Sequence, residues 1–318
     1  MTTWGLVATI KAPVREILDF AAHHIELGAH RLYLFLDAPN PEAQATLKPH
    51  PKVRVFTCDE AHWNRLGIKR PVKHQVRQAA NATHAYHRKG GELDWLIHMD
   101  VDEFLWPDNP LANLLDALPA DALCARIRPA EALAGDGTLF KGFIPGGPER
   151  AATVARLYPR FGAHVKGGFL SHVAGKLFVR TGIDPLEIRI HNVFRGAEMN
   201  PGEVALATTL LLHCHAKSWE DWIAAYRYRL SHGSYRAELA PARPRDKGGL
   251  TLHEVLSEIE ASEGDSGLRA FYDELCVDSP ALCSALDAAG LLHRCELQLD
   301  AKRQKQFPDF PKTVSQKT

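Results

Sequence analysis

Three observations in the first hundred residues predict an α/β fold built on a mostly parallel central sheet. Short apolar runs alternate with stretches of helical period, the pattern of strands joined by helical crossovers. The first two runs, residues 5–10 and 31–36, enclose one helical stretch within about thirty residues, the length of a right-handed crossover unit. The run Trp95-Leu96-Ile97-His98-Met99 then stops abruptly in Asp100-Val101-Asp102-Glu103. Open α/β sheets bind their ligands just outside such carboxyl ends.

Taken in order, residues 5–10 read as the first strand. Pro13 opens a helix that places Ile17, Phe20, Ala21, His24 and Ile25 on one face, and Gly28 stands where a helix stops. Residues 31–36, 52–57 and 95–99 are the next three strands. Between the last two, residues 72–86 carry Val72, Val76, Ala79, Ala80 and Thr83 at helical spacing. A short helix is expected over 111–118 and an alternating strand over 123–128. From 131 to 168 glycines, prolines and charges accumulate, which reads as long loops. Residues 176–181, 187–190 and 204–214 look like strands. Ser218 followed by Asp221 is a capping pattern that opens a helix through Trp222, Ile223, Tyr226 and Leu230. A Pro-, Arg- and Gly-rich linker over 240–249 leads to three short helices over 250–299, punctuated by Gly264, Gly267, Pro280 and Gly290, and a frayed tail after Arg303. This gives two expected parts: a main domain over 1–235, and a helical C-terminal extension and tail over 236–318.

Composition excludes several classes of function. The 318 residues are 45% hydrophobic and 24% charged, which suits a globular chain with a real core and not a disordered or fibrous one. Lys plus Arg number 38, as do Asp plus Glu, so the basic excess usual in nucleic-acid binding is missing and no nucleic-acid partner is expected. The six cysteines form no C-x-x-C pair and read as reduced, mostly buried thiols. No signal peptide is recognisable and no run approaches the roughly 18 to 20 apolar residues of a membrane span, so the expected location is cytoplasmic. Lys302, Arg303, Lys305 and Lys312 form a basic end that is compatible with peripheral membrane contact.

The acidic strand end is the first chemical signal. In extended backbone, residues two apart project to the same side, so Asp100 and Asp102 can face one hard cation. Manganese or magnesium takes one or two protein carboxylates and fills its other positions with water and substrate phosphates. A lone D-x-D more often marks a solvated turn; here the apolar strand before it and the crowding of three acids favour a cation. A second apolar run, Leu210-Leu211-Leu212, ends in His213-Cys214-His215-Ala216-Lys217-Ser218. Imidazole could complete a metal shell, and a lysine beside a helix N-terminus suits a diphosphate.

Together, the opening VATIKAPVREILDFAAHHIELGAHRLYLFLDAPN, the stretch KHQVRQAANATHAYHRKGGELDWLIHMDVDEFLWP and the later LHCHAKSWEDW resemble bacterial family-2-like glycosyltransferases related to the family 92 group. The match is dense over residues 6–107 and thinner to Trp222, and D-V-D-E-F-L is its most specific piece. The resemblance implies a GT-A fold, Rossmann-like with an acceptor-binding half, and a metal-dependent enzyme. Such an enzyme moves a sugar from a nucleotide-diphosphate-sugar, UDP-sugar favoured, to a carbohydrate or glycoconjugate acceptor, with Mn2+ or Mg2+ as cofactor. Carried over residue by residue, Asp100 and Asp102 match the D-x-D, Asp102 as direct metal ligand and Asp100 as a ribose or metal-water contact. Lys11 matches the lysine of the opening block, Asp37 the aspartate that meets base or ribose, Gln75 the family glutamine, and His213 and Lys217 the late histidine and lysine. His213 is thereby a third metal ligand. Lys176 and His191 align loosely with a substrate-contacting lysine and histidine. The sequence departs from the family pattern after Lys11 and Asp37, where Ala12-Pro13 and Ala38-Pro39 stand.

An inverting transfer needs a carboxylate to take the acceptor proton. Asp136, Glu131 and Glu149 are the candidates; Asp136 comes first because the flanking Gly135 and Gly137 would let its backbone approach a substrate. Two competing readings are a metal-dependent phosphohydrolase and a non-catalytic sugar-nucleotide-binding protein. The first fits poorly, since an aspartate-nucleophile motif belongs near the first strand.

Overall fold

A computed structural model describes residues 1–232, 241 and 245–311. The first elements are β1 (Trp4–Ile10), α1 (Val14–Glu26), β2 (Arg31–Leu36), α2 (Pro41–Leu47), β3 (Val53–Thr57), α3 (Glu60–Arg65), α4 (His74–Lys89) and β4 (Trp95–His98). There follow β5 (Glu103–Pro107), α5 (Leu111–Asp116), β6 (Cys124–Ala132), β7 (Leu139–Lys141), α6 (Glu149–Leu157) and β8 (Lys176–Arg180). Next come β9 (Glu187–Ile188), β10 (Val193–Arg195), β11 (Glu198–Met199), β12 (Glu203–His213) and α7 (Trp219–His232). The last are α8 (Leu252–Cys276), α9 (Pro280–Ala288), β13 (Leu292–Arg294) and α10 (Leu299–Gln306). The chain divides into two compact units. One holds residues 1–128, 174–211 and those described from 297 onward; the other holds 129–173 and those described within 212–296. The expected boundary at 235/236 lies outside the described residues.

The first unit is the predicted α/β body. Its sheet runs β3-β2-β1-β4-β8-β6. The four strands from β3 to β4 are parallel, while β8 is antiparallel to both β4 and β6. β1 and β4 are buried along their whole length, as expected of parallel strands covered on both faces. Helix α1 buries Ile17, Phe20, Ala21, His24 and Ile25 and ends before Gly28, whose φ of +94° suits glycine. The C-terminal helix α10 belongs to this unit and docks on α1: Arg303, buried, bonds Asp19, and Lys305 bonds Glu26 at 2.6 Å. Lys302 bonds His23, so all three cations pair with α1, with the Lys305 side chain still largely exposed; Lys312 lies outside the described residues.

Helix α4 turns a different face inward from the one its aliphatic spacing predicts. Val72 and Val76 are exposed, and Arg77, Gln78, Asn81, Ala82 and Ala85 are buried. The polar residues win the inner face because each meets a polar group at a strand end: Arg77 meets Asp37, Gln78 meets Asp100, and Asn81 donates to Thr9 Oγ1 (3.0 Å). A buried carboxylate needs such partners, so partner demand overrides the hydrophobic pattern.

The second unit packs α6–α9 around aromatic side chains. Trp222 stacks on Tyr226 (5.5 Å between centroids) and lies beside Phe271 and Tyr272. The capping pattern at α7 holds, with Ser218 Oγ accepting from Asp221 N (3.1 Å). The three helices expected over 250–299 are recovered as α8, interrupted at Gly264 (φ +59°), and α9. The stretch 131–168 is not all loop: it carries β7 and the nine-residue α6. β7 pairs with the end of β6 and with β13. In the small sheet β9-β10-β11, β9 falls within the strand expected over 187–190; β10, β11 and β13 were not expected, because two- and three-residue strands leave no periodic trace. All six cysteines are free, and no helix among the described residues is long and apolar enough to cross a membrane.

Candidate functional site

The parallel strands of the first unit bring chemistry to one edge. Just past their carboxyl ends stand Lys11 after β1, Asp37 after β2, Asp59 beyond β3, and Asp100 and Asp102 beyond β4. A cavity of about 490 Å³ opens there, bordered by Lys11, Asp37, Asp59, Arg70, Val72 and Arg77.

Asp37 is buried, and its carboxylate is fully engaged. Arg77 grips it as a fork, Nε to Oδ1 at 2.8 Å and Nη2 to Oδ2 at 2.6 Å. Arg70 Nη2 donates to Oδ1 (3.1 Å), and His74 Nδ1 lies 3.1 Å from Oδ2. Arg77 also donates through Nη1 to Pro71 O and Val72 O, which fixes the chain entering α4. Burial works against the charge of Asp37, but the bonds from His74 and Arg77 outweigh it and hold the carboxyl well below the usual carboxylate range. Asp37 therefore shapes the cavity by holding three basic side chains. Lys11 and the half-exposed Arg70 are the cations at its rim.

Beyond β4 a second cluster forms. Asp100 Oδ2 accepts from Lys176 Nζ at 2.7 Å, and Oδ1 accepts from Gln78. Lys176 Nζ also lies 3.4 Å from Glu103 Oε2, and that carboxylate caps Asp100 N at 2.8 Å. Lys176 and Glu103 are both fully buried, whereas Asp102 is partly exposed. Burial would lower the lysine pKa, but Asp100 and Glu103 reverse this and raise it. Nearby, burial pushes His98 down to about 4, with Lys176 adding to the effect. The donor set fits a hard divalent cation that takes one carboxylate directly, with water in its other positions.

Gln75, the glutamine matched to the family, is exposed on the first turn of α4, and Gln78 reaches the acid cluster instead. The missed signal was the Arg77-Gln78-x-x-Asn81 row of polar residues. Gln75→Ala is expected to leave stability within about 0.5 kcal/mol. Gln78→Ala, which strips a donor from an ionised carboxylate, is expected to cost about 1.5–3 kcal/mol. Urea midpoints of the two variants check this.

The other expected site residues fall elsewhere. His191 lies in the first unit, partly buried, its Nδ1 3.1 Å from Gly175 O. In the second unit Glu131 is buried, paired to Lys141 (2.9 Å), and accepts from Leu170 N and Ser171 N. Burial raises its pKa, but Lys141 outweighs that and holds it low. Asp136 is exposed and caps its own turn, accepting from Thr138 N (2.9 Å) and Thr138 Oγ1 (2.6 Å). Its neighbouring glycines have local reasons: a Cβ on Gly135 would meet Asp278, and Gly137 has a φ of +81°. Glu149 is exposed at the start of α6. His213 is buried at the end of β12 between the rings of His172 (5.2 Å) and His215 (5.0 Å). Arg229 donates to His215 Nε2 at 2.9 Å, and Lys217 is exposed.

Residues 7–120 match the model of glycosyltransferase family 92. This likeness to a glycosyltransferase is thus confined to the first 120 residues. That stretch holds Lys11, Asp37, Gln75, Asp100 and Asp102, whereas Lys176, His191, His213 and Lys217 lie beyond it. The glycosyltransferase GlyE of Streptococcus pneumoniae TIGR4 is similar at 13% identity, over 57% of this chain and 34% of that one, with a TM-score of 0.31. Mouse xyloside xylosyltransferase 1 is similar at 14% identity, over 56% and 67%, with a TM-score of 0.28. A mycobacterial protein is similar at 12% identity, over 78% and 82%, with a TM-score of 0.36. The chain spans about a third of the length of GlyE. A comparison with curated proteins finds no match.

Proposed function

We propose that this chain is a glycosyltransferase that takes its sugar from a nucleotide-diphosphate donor, with a divalent metal, and passes it to a carbohydrate or glycoconjugate acceptor. The observation that carries the reading is the polar inner face of α4, which spends Arg77 and Gln78 on the two strand-end carboxylates Asp37 and Asp100. A helix that only covered a sheet would bury its valines. The cavity beside Asp37 is the proposed seat of the nucleoside, with Lys11 and Arg70 as donors to it. Asp102 is the proposed direct metal ligand; Asp100, already bonded to Lys176 and Gln78, is proposed to act through water. His213 remains the third proposed ligand and Lys217 a proposed diphosphate contact, both on the family motif. When bound, Mn2+ or Mg2+ would neutralise charge gathering on the diphosphate leaving group.

Asp136 is proposed as the proton acceptor in preference to Glu131, whose oxygens serve Lys141 and two backbone amides. Bonds from Thr138 hold the exposed Asp136 carboxyl low, so it is ionised at neutral pH.

Calorimetric titration of UDP, GDP and CMP, with and without Mn2+, tests the reading. Metal-dependent binding of one nucleotide, weakened at least about tenfold in Asp102→Ala, is the expected result. No binding of any nucleotide under either condition overturns it.

A further inference from the structure

We propose that Lys176 is a positioning residue, a buried internal cation that fixes Asp100 and Glu103 and thereby sets the strand end on which Asp102, the proposed metal ligand, stands. The inference rests on the metal-dependent reading above and assigns a role to a residue outside the matched family segment.

The geometry is specific. Lys176 has no exposed surface, and its Nζ stands 2.7 Å from Asp100 Oδ2 and 3.4 Å from Glu103 Oε2. Glu103, also without exposed surface, holds the Asp100 backbone through its amide at 2.8 Å. The lysine thus grips both the side chain of Asp100 and the carboxylate that fixes the Asp100 main chain. A side chain with no exposed surface is poorly placed to touch a substrate, which separates this role from substrate contact.

Strand pairing delivers the lysine. It is the first residue of β8, beside β4, and pairs with Ile127 of β6 on the other side. The preceding Gly175 has a φ of +73°, and a Cβ there would lie 1.9 Å from Ile127 O. Only glycine lets the chain enter β8 this close to β6, so the lysine stem starts from sheet rather than loop.

Charge gives the arrangement its purpose. Lys176 sets one positive charge between the carboxylates of Asp100 and Glu103. Without the lysine, the buried Glu103 would face the part-buried Asp100 as a like charge, an arrangement that costs free energy unless a cation intervenes.

Lys176→Met, which keeps length and removes charge, and Lys176→Arg, which keeps charge, test the idea through thermal midpoints and calorimetry with Mn2+ and with the nucleotide that wild type binds. Lys176→Met is expected to lower the metal-free midpoint. Mn2+ should then raise that midpoint more than it raises the wild-type one, because metal takes over the neutralisation. Metal-dependent nucleotide affinity should fall about tenfold, and Lys176→Arg should recover part of it. A midpoint that falls equally with and without Mn2+, with nucleotide affinity unchanged, overturns the positioning role and leaves the proposed function standing. Wild-type protein that binds neither Mn2+ nor nucleotide overturns both. If Lys176→Met does not fold, Lys176→Met with Glu103→Gln, which removes one charge of each sign, takes its place under the same criteria.

Discussion

Asp37→Ala is expected to lower the free energy of unfolding by about 3 kcal/mol or more, the usual cost of removing one partner from a buried ion pair. The loss comes less from the missing contact than from what stays behind. Arg77 is 9% exposed and directs Nε and Nη2 at Asp37; without the carboxylate its charge has no counter-ion there. Arg70 and His74 lose the same acceptor. Nucleotide binding should weaken with the fold intact, since Arg70 is no longer held at the cavity rim. Urea unfolding at pH 7.5 measures the first effect, and the titration proposed above measures the second.

Arg77→Met combined with Asp37→Ala should cost clearly less than the sum of the two single changes, because the double variant buries no unpaired charge. If the single changes add, the pair is not coupled and the account of the cavity fails.

Much of the fold was legible because the first hundred residues obey two clean periods. The four parallel strands fell within a residue or two of their expected bounds, and α1 buried the face its spacing named. α4 misled because its aliphatic residues are the exposed ones. Val72 and Val76 mark a helix by spacing, but polar demand at the strand ends decided its orientation, and that demand arises only once the strands are side by side. The same blindness moved the glutamine by one turn. Gln75 and Gln78 look alike in the chain, and only the fold shows which reaches Asp100.

Roles were harder to read than places. Asp100 and Asp102 stood out because three acids closing an apolar strand are conspicuous. Their internal counter-ion did not, since Lys176 lies more than seventy residues away in sequence and is brought in by an antiparallel strand. Glu131 reads in sequence as a loop acid; in the structure it is on a strand, buried against Lys141.

Acid should destabilise the first unit well above the pH at which carboxylates titrate. His23 and His24 are completely buried on α1, and each ring is already used in one neutral tautomer. His24 Nδ1 donates to Phe20 O (2.8 Å), and its Nε2 accepts from Leu105 N (3.4 Å). His23 Nε2 donates to Leu105 O (2.8 Å), and its Nδ1 accepts from Lys302 Nζ (3.1 Å). A second proton on His24 would point at an amide N–H, and one on His23 at an ammonium. Burial, with the Lys302 ammonium opposing charge on both rings and His24 opposing it on His23, therefore pushes His24 down to about 3 and His23 well below its ordinary value. Both folded values lie below the unfolded one of about 6.5, so the unfolded chain binds more protons between them. Stability is thus whole above pH 6.5 and falls as pH drops below it. At pH 5 His24 is expected to cost about 2 kcal/mol, and His23 adds a loss of the same sign. Asp37, whose folded value is depressed, adds its own loss only below about pH 4. Protonating His23 also sets a positive charge against Lys302, so α10 should leave α1 first. Urea midpoints from pH 7.5 to 5 and amide exchange across α10 should show both effects. Replacing both histidines by glutamine should flatten the pH dependence by two protons' worth, and a profile that keeps its wild-type slope in that variant would remove these rings as its cause.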